Sequence, residues 1–319
     1  MSAQPPIELP ALPPEVQAFQ SRGDEWGPWV DALPGLRRDL LEEWELELDG
    51  EAMHGYCSLV HPVRTAAGER AVLKLSGPTW EGEHEHLALR LWSGRGAVRL
   101  LCADPHRWAL LLEPADAGRD LNALPALEAC TVVARLYGDL HVDAPPQLRL
   151  LSDQAARWSA ELRALPAAVP LPRRYVEQAA GLAGELSATA GCDGRLVHTD
   201  LHYDNVLASL QYDSSDDAGS KEWLAIDPKP LSGDPHFEVA PLLWNRWDEL
   251  VATGDVRTAI RARFHTVVDT AGLDETKARA WVVVRELVNA MWALTAGAAI
   301  EDGDDFLTQC VTITKAVLD

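Results

Sequence analysis

The sequence lacks the features of a membrane or secreted protein. No segment has the run of about eighteen apolar residues that a membrane-spanning helix needs. The segment from Met1 to Pro6 has neither the basic start nor the apolar core of a signal peptide. The 5 cysteines are scattered, and no two of them form a C-x-x-C pair. We therefore expect a cytoplasmic protein with buried free thiols.

Basic residues are also few. The chain has 28 Lys and Arg against 49 Asp and Glu, which gives a formal net charge of −21. A charge of this sign repels nucleic acid and anionic membranes, so we expect neither as a partner. It is compatible with a cationic small molecule attracted by the summed field. An acidic surface that only keeps the protein soluble is an equally open explanation, and the sequence does not indicate an oligomeric state.

The apolar pattern predicts a sheet region followed by a longer helical region. At 319 residues the chain exceeds the usual size of one domain, so two unequal lobes are expected. Residues 1–22 are rich in proline and predict an arm that lies on the surface or is disordered. The strands are predicted at 44–48, 56–63, 70–75 and 107–113. The helices are predicted at 26–44, 79–92, 126–141, 151–165, 173–190, 238–253, 255–271, 274–299 and 304–317.

The run from Leu196 to Leu207 carries the strongest chemical signal. It contains the H-x-D-x-x-x-x-N spacing of a kinase catalytic loop, with Asp200 and Asn205 as the Asp and the Asn. A carboxylate at Asp200 can accept or orient the proton of an attacking hydroxyl. The amide of Asn205 can hold a magnesium ion that bridges the phosphates of ATP. The spacing therefore predicts phosphoryl transfer.

Two further segments make this prediction more specific. The run 222–228 reads as an apolar strand that ends in Asp227, where a kinase has its second metal-binding carboxylate. The run 70–75 is similar to the V-A-I-K strand, with Lys74 as the lysine that reaches the α- and β-phosphates. Singly, such a lysine is more often a solvated strand residue and such an aspartate a turn former. Their order along the chain is the order that a kinase requires.

A metal-dependent hydrolase is an alternative interpretation of the same loop. His198 and His202 stand four residues apart with Asp200 and Asp204 between and after them, so a helix would bring these groups to one face as a zinc site. The flanking residues favour a loop instead, because the apolar pairs on both sides are typical of strands.

Three stretches resemble one known group of enzymes. They are 198–205, the unusual run 226–230, and 233–245. Together they are similar to the aminoglycoside phosphotransferase-like kinases, in particular to their streptomycin 6-phosphotransferase and hydroxyurea phosphotransferase branch. Many members of the wider group have Gly where this chain has Thr199 and Asp where it has Glu238. The chain also has no G-x-G-x-x-G loop, and its first hairpin offers only the turn at 49–56.

The resemblance implies an α+β, protein-kinase-like two-lobed fold with a small antiparallel-sheet N-lobe and a larger, mostly helical C-lobe. We expect five strands in the sheet. The implied boundaries are an N-terminal arm at 1–22, the N-lobe at 23–112, a hinge at 113–118, and a C-lobe with the catalytic loop and the acceptor site at 119–319.

The resemblance also implies roles for residues that would bind ATP and Mg²⁺. Asp200 would act as base or orienter, and Asn205 and Asp227 would hold the metal. Lys74 would bind the phosphates and be oriented by an ion pair with Glu85.

Three further residues belong to this assignment. Glu81 is the reserve candidate for the ion pair with the lysine. Glu113 and Ala115 would offer their backbone groups to the adenine ring at the hinge.

The implied acceptor is a small molecule, and four residues are candidates for its contacts. An aminocyclitol hydroxyl of streptomycin would be phosphorylated, which inactivates the antibiotic. Two other acceptors remain open, namely hydroxyurea and a metabolic sugar or amino alcohol. A kinase-like protein that binds nucleotide without turnover is the alternative to an enzyme. Trp244 could pack against the acceptor, and Asp248, Glu249 and Glu286 could pair with its cationic groups. For each of the four, core packing or a solvated helix face is the alternative.

Overall fold

The computed structural model describes residues 9–212, 222–295 and 303–318. The chain divides into two compact units, the first made of Met1–Asp116 and Ser209–Glu222 and the second of Ala117–Ala208 and Trp223–Asp319. The division after Asp116 falls inside the segment predicted as a hinge. Within the described ranges, no helix is long and apolar enough to cross a membrane.

The first unit combines helices with an antiparallel sheet. Its elements are α1 (Pro14–Ala18), α2 (Trp26–Glu43), β1 (Glu47–Leu48), β2 (Met53–His54), β3 (Ser58–Arg64), β4 (Arg70–Ser76), α3 (Glu85–Trp92), β5 (Leu100–Asp104) and β6 (Ala109–Leu112). Within the described residues the sheet has 6 strands in the order β1-β3-β4-β6-β5, with β2 also paired to β3. The expectation of five strands is therefore wrong.

The additional strand arises in the first hairpin. Leu48 pairs with Val63, and Met53 pairs with Val60. The chain between Leu48 and Met53 is thus longer than the partner segment it faces, and the extra residues cannot all join the ladder. The first arm of the hairpin is consequently split into β1 and β2.

One face of the sheet and α2 share the core of this unit. Alternate residues of β3 and β4 point to the same side, and Leu59, Leu73 and Leu75 are fully buried there. Helix α2 adds Leu33 and Leu40, which follow the helical period and belong to the same cluster.

The predicted N-terminal arm is packed into this core rather than lying outside it. Val16 is fully buried and Phe19 is 4% exposed, and both belong to the cluster formed by α2 and the sheet. The expectation of a surface or disordered arm is wrong for this part of 1–22, because the proline-rich composition concealed an apolar pair at helical spacing. Residues 1–8 lie outside the described part of the chain.

The helix predicted at 79–92 begins only at Glu85. The preceding residues form turns, in which Gly82 N–H donates to Thr79 and Glu85 N–H donates to the carbonyl of Gly82. Glycine is a poor helix former because its backbone is free in the unfolded chain. The helix ends at Trp92, and the next residue, Ser93, has a left-handed φ of +50°.

The second unit is mostly helical. Its elements are β7 (Ala115–Asp120, which starts at the boundary), α4 (Ala126–Leu140), α5 (Leu151–Ala164), α6 (Arg173–Ser187), β8 (Arg195–Val197), β9 (Val206–Ser209), β10 (Trp223–Ala225), β11 (Leu231–Gly233), α7 (Pro241–Trp244), α8 (Trp247–Ala252), α9 (Val256–Ala271), α10 (Glu275–Thr295) and α11 (Gly303–Leu318). The apolar faces of α4, α9, α10 and α11 form its core.

The helix predicted at 238–253 is broken into three pieces. A 3₁₀ turn covers Pro235–Val239, and α7 and α8 follow as separate short helices. Pro241 lies in the first turn of α7, where a missing N–H costs nothing, but it cannot continue a preceding helix. Arg246, with a φ of +48°, separates α7 from α8.

Two small sheets of the described residues position the kinase-like motif; β10 pairs antiparallel with β9 in the first, and β11 pairs antiparallel with β8 in the second. The first has the order β10-β9-β7, and the second pairs β11 with β8. The segment 198–205 runs from the end of β8 to the start of β9, as a loop with a 3₁₀ turn at Tyr203–Asn205. The segment 226–230 connects β10 to β11. Both motif segments are therefore held at each end by a strand.

Candidate active site

A buried lysine–glutamate pair lies in the first unit. Lys74 is on β4, which is paired with β3 on one side and β6 on the other, and Glu85 is the first residue of α3. Nζ of Lys74 donates to the two carboxylate oxygens of Glu85 at 2.7 and 2.8 Å. Both side chains are buried, so the two charges attract each other in a medium that screens them weakly. Glu81, the reserve candidate, lies in the turn before α3.

The predicted adenine contacts, Glu113 and Ala115, lie in the segment that leaves β6. The N–H of Glu113 donates to the carbonyl of Arg99 at 2.9 Å, and its carboxylate accepts from Arg99 N–H at 2.7 Å. Ala115 is the first residue of β7. Because the N–H of Glu113 is already bonded, a nucleotide contact at this residue would use its carbonyl oxygen.

His198 is locked in the interior of the second unit. Its Nε2 donates to the carbonyl of Ile226 at 2.9 Å, and its Nδ1 accepts from the N–H of Asp200 at 3.3 Å. Burial holds the pKa of His198 below its usual value, which fits this neutral form. With both ring nitrogens used, His198 cannot ligate zinc, and the described residues contain no group of three His, Cys, Asp or Glu that could hold a metal. The geometry gives the metal-dependent hydrolase no support.

The hydrogen bonds to the carboxylate of Asp200 are made to one of its two oxygens. Its Oδ2 accepts from Nζ of Lys229 at 2.6 Å and lies 3.4 Å from Nδ2 of Asn205. Among the residues that the structure describes, none donates to its Oδ1. A carboxylate held by one oxygen with the other unpaired suits a group that must accept the proton of a hydroxyl.

Asn205 has both amide hydrogens committed. Its Nδ2 donates to the carbonyl of Asp200 at 2.8 Å and lies 3.1 Å from Nε2 of His202. The other ring nitrogen of His202 lies 3.1 Å from Asp204, and this contact lowers the pKa of the Asp204 carboxyl. The amide group is thus oriented, and no donor among the described residues occupies its oxygen. An amide oxygen is a ligand that Mg²⁺ accepts.

Asp227 follows β10 directly, and its φ is +56°. Aspartate tolerates this left-handed conformation better than most residues. The preceding residue, Ile226, donates its N–H to the carbonyl of Asn205 at 2.9 Å. The two predicted metal ligands therefore lie on segments that are hydrogen-bonded to each other, and the donor set of one amide oxygen and one carboxylate fits Mg²⁺.

The N–H of Thr199 is held by a buried glutamate. Glu238 is fully buried; its Oε1 accepts from the N–H of Thr199 at 2.5 Å, and its Oε2 lies 2.7 Å from Nε2 of His141. The ring of His141 stacks on Tyr137, whose hydroxyl donates to the carbonyl of Glu238. This network fixes the residue immediately before Asp200.

Three of these residues were not among the predicted site residues: Lys229, Glu238 and His141. Lys229 could have been noticed from the sequence, because it stands between Pro228 and Pro230 directly after Asp227. His141 follows the last residue of α4 and gives no local signal. Its role depends on a contact with a residue 97 positions away.

The four predicted acceptor contacts lie in different environments. Asp248 and Glu249 are exposed in the first turn of α8, and Trp244 is partly buried at the end of α7. Glu286 is 1% exposed on α10, and burial raises the pKa of its carboxyl to about 8. The predicted contact between Glu286 and an acceptor is not supported, because its side chain belongs to the interior of the helical unit.

Comparison with known proteins identifies the family of the chain. The sequence model of the aminoglycoside/hydroxyurea antibiotic resistance kinases matches residues 43–297. The chain belongs to this family. It is 40% identical over 306 residues to the streptomycin 6-kinase of Streptomyces glaucescens, covering 95% of this chain and 96% of that protein. It is 41% identical over 322 residues to the hydroxyurea phosphotransferase of Kitasatospora aureofaciens, covering 98% of this chain and 86% of that protein.

The fold of this family member is also found among solved structures. An aminoglycoside phosphotransferase in a ternary complex with ADP and hygromycin B superposes with a TM-score of 0.54 at 18% identity, over 88% of this chain and 97% of that one. The protein is thus a phosphotransferase with the protein-kinase-like fold. The expected fold class and the resemblance to the streptomycin and hydroxyurea branch are confirmed.

Proposed function

We propose that this resistance kinase transfers the γ-phosphate of ATP to a hydroxyl of streptomycin, in the cytoplasm and with Mg²⁺ as cofactor. The observation that supports this proposal most directly is the geometry at Asp200, whose Oδ2 is held by Lys229 while its Oδ1 has no donor among the described residues. Oδ1 is the atom that would accept the proton of the attacking hydroxyl.

The other residues of the second unit would serve the metal. Asn205, through its amide oxygen, and Asp227, through its carboxylate, would hold Mg²⁺. When bound, the ion neutralises the charge that accumulates on the phosphates during transfer. The hydrogen bonds of the Asn205 amide to Asp200 and His202 orient the oxygen before any ligand arrives, which lowers the cost of binding.

In the first unit, Lys74 would bind the α- and β-phosphates. Its ion pair with Glu85 already exists in this structure, as an active kinase requires. A protein without turnover has no need of this pair together with Asp200, Asn205 and Asp227. The complete set therefore favours an active enzyme over a silent nucleotide-binding protein.

The acceptor is proposed from the relatives and from charge. The streptomycin 6-kinase of S. glaucescens and the chain align over nearly their full lengths. The net charge of −21 favours a cationic acceptor over a neutral one. Hydroxyurea is the second candidate, since the hydroxyurea phosphotransferase of K. aureofaciens is similarly close in sequence.

The test is phosphorylation by the purified protein with Mg²⁺ and ATP. Streptomycin, hydroxyurea, other aminoglycosides and common sugars and amino alcohols would be offered separately, and mass spectrometry would locate the phosphate on any product. We expect streptomycin to be phosphorylated on a hydroxyl of its aminocyclitol ring. Phosphorylation of hydroxyurea alone would replace the proposed acceptor, and absence of any product would support the silent alternative.

Asp200→Asn tests the assigned base within the same assay. Asparagine keeps the size of the side chain but cannot accept the proton, so the rate should fall about 10²–10⁴-fold. Nucleotide affinity should change little, since this residue is not assigned to the phosphates. Asp153→Asn, at an exposed position of α5, removes the same charge and should leave the rate unchanged. A rate above about a tenth of wild type in Asp200→Asn would refute the assignment.

A further inference from the structure

Lys229 makes a direct ion pair with the proposed base. Its Nζ lies 2.6 Å from Oδ2 of Asp200, and the two side chains are 28% and 15% exposed. This distance is that of a short charge-assisted hydrogen bond. None of the predicted roles includes this lysine.

The backbone of Lys229 is fixed at both of its polar groups. Its N–H donates to the carbonyl of His198 at 3.0 Å, and its carbonyl accepts from Oγ1 of Thr199 at 2.7 Å. Pro228 and Pro230 flank it and restrict the backbone torsions on either side. The lysine side chain therefore starts from a rigid segment that is tied to the two residues before Asp200.

The contact decides which carboxylate oxygen remains for the acceptor. Lys229 and Asn205 both approach Oδ2 of Asp200, at 2.6 and 3.4 Å. Rotation of the carboxylate would break the strong bond to the ammonium group. As long as that bond is kept, Oδ1 faces away from the ammonium group of Lys229.

We propose that Lys229 is a positioning residue that holds Oδ2 of Asp200, so that Oδ1 is presented to the acceptor hydroxyl. This inference rests on the proposed function of Asp200 as base. The role needs both the positive charge and the reach of a long side chain. This role acts on the transfer step, so we expect the replacement of Lys229 to lower kcat while KM for ATP and for the acceptor changes little.

The test separates kcat from KM in two variants of Lys229. Lys229→Met keeps the length of the side chain and removes the charge. Its kcat should fall about 100-fold, since a reacting group displaced by about 1 Å costs that much, while KM for ATP and for the acceptor stays within about threefold. Lys229→Arg retains a cation and should recover at least about a tenth of the wild-type kcat, because the guanidinium can also donate to a carboxylate.

Lys277→Met is a matched control in the same unit. Nζ of Lys277 also lies 2.6 Å from a carboxylate, that of Asp234, and its side chain is likewise 28% exposed. Asp234 is buried and also accepts from Nε1 of Trp281. Removal of this lysine should lower the temperature of unfolding and leave kcat unchanged, when activity is measured well below that temperature.

The outcomes distinguish this inference from the proposed function. If Asp200→Asn keeps its activity, the assignment of the base is wrong. If Asp200→Asn is inactive but Lys229→Met has the wild-type kcat, the base stands and the positioning role is wrong. An equal loss of kcat in Lys229→Met and Lys229→Arg would show that charge is not what Lys229 supplies. If Lys229→Met does not fold, Lys229→Arg decides alone, and loss of its kcat in a folded protein overturns the proposal.

Discussion

Two residues of the site adopt backbone conformations that cost free energy. Thr199 has a φ of +66° and Asp227 a φ of +56°. A left-handed conformation is rare for a β-branched residue such as Thr199, at a cost of roughly 1–2 kcal/mol. The hydrogen bonds of Thr199 to Glu238 and Lys229 offset this cost. The strain is thus located beside the proposed base, where the surrounding contacts enforce one conformation.

Burial changes the protonation of Glu286. It lies inside the helical unit, and desolvation raises the pKa of its carboxyl from 4.5 to about 8. Its Oε1 has no hydrogen-bond partner among the described residues. The folded protein therefore keeps this carboxyl protonated at neutral pH, whereas the unfolded chain releases the proton.

This difference predicts a pH-dependent stability. The folded state binds the proton of Glu286 more tightly than the unfolded chain does. The contribution of Glu286 to the free energy of unfolding should therefore be highest below pH 4.5 and fall as pH rises toward 8. Glu286→Gln imitates the protonated form at every pH, so the decrease should be absent from this variant. Its free energy of unfolding should exceed that of wild type by roughly 1–3 kcal/mol at pH 7 and by little at pH 5. Urea unfolding at both pH values measures it.

The exposed Glu249 provides the control for this prediction. Glu249→Gln changes the same group on the surface of α8, where its side chain is 58% exposed. It should alter the free energy of unfolding by a similar small amount at both pH values. Equal stability of Glu286→Gln and wild type across this range would contradict the burial argument.

Secondary-structure elements fix the site through a few contacts between distant segments. Glu238 lies in the 3₁₀ turn before α7 and reaches Thr199, which follows β8. Had 238–253 formed one continuous helix, as its apolar pattern predicts, the turn that carries Glu238 would not exist. Pro241 and Arg246 prevent this, and the broken segment brings a carboxylate to the loop.

Removal of this carboxylate should therefore affect both stability and catalysis. Glu238→Ala leaves the buried N–H of Thr199 and Nε2 of His141 without their acceptor, at a cost of about 1–3 kcal/mol for each unsatisfied group. The loop before Asp200 loses its support, so kcat should fall about 100-fold. Chemical unfolding and steady-state kinetics measure the two effects.

Tyr137→Phe is the matched control for this change. It deletes the hydroxyl that donates to the carbonyl of Glu238 and leaves the ring that stacks on His141. It should cost about 1 kcal/mol of stability with kcat unchanged, because the carboxylate itself stays in place. A wild-type kcat in Glu238→Ala would show that the loop is held by other contacts.

For the whole molecule, the charge of −21 is the property that bears on the acceptor. If the field of the protein attracts a cation, KM for streptomycin should rise with salt, since charges are screened beyond about 10 Å at 0.1 M ionic strength. KM for neutral hydroxyurea should stay constant over the same range. Initial rates at saturating Mg²⁺ and ATP measure both values. A constant KM for streptomycin would make the acidic excess a solubilising surface only.

The sequence alone determined the motif residues, their order and most of the helices. The spacing of Asp200 and Asn205 and the lysine–glutamate pair of Lys74 and Glu85 follow from local patterns and from the family resemblance. Helices such as α4, α5 and α9 agree with the predicted spans within a few residues, because a 3.6-residue apolar period is a local property.

Only the tertiary structure decided how the proposed base is held and that Glu286 is buried. The contact of Lys229 with Asp200 joins residues 29 positions apart, and that of Glu238 with Thr199 joins residues 39 apart. Such pairs depend on how strands and turns reverse the chain, which no periodicity encodes. The burial of Glu286 likewise depends on the helices packed around α10. A charged side chain predicts a position on the surface of the protein, but the packing of its apolar neighbours places Glu286 in the interior.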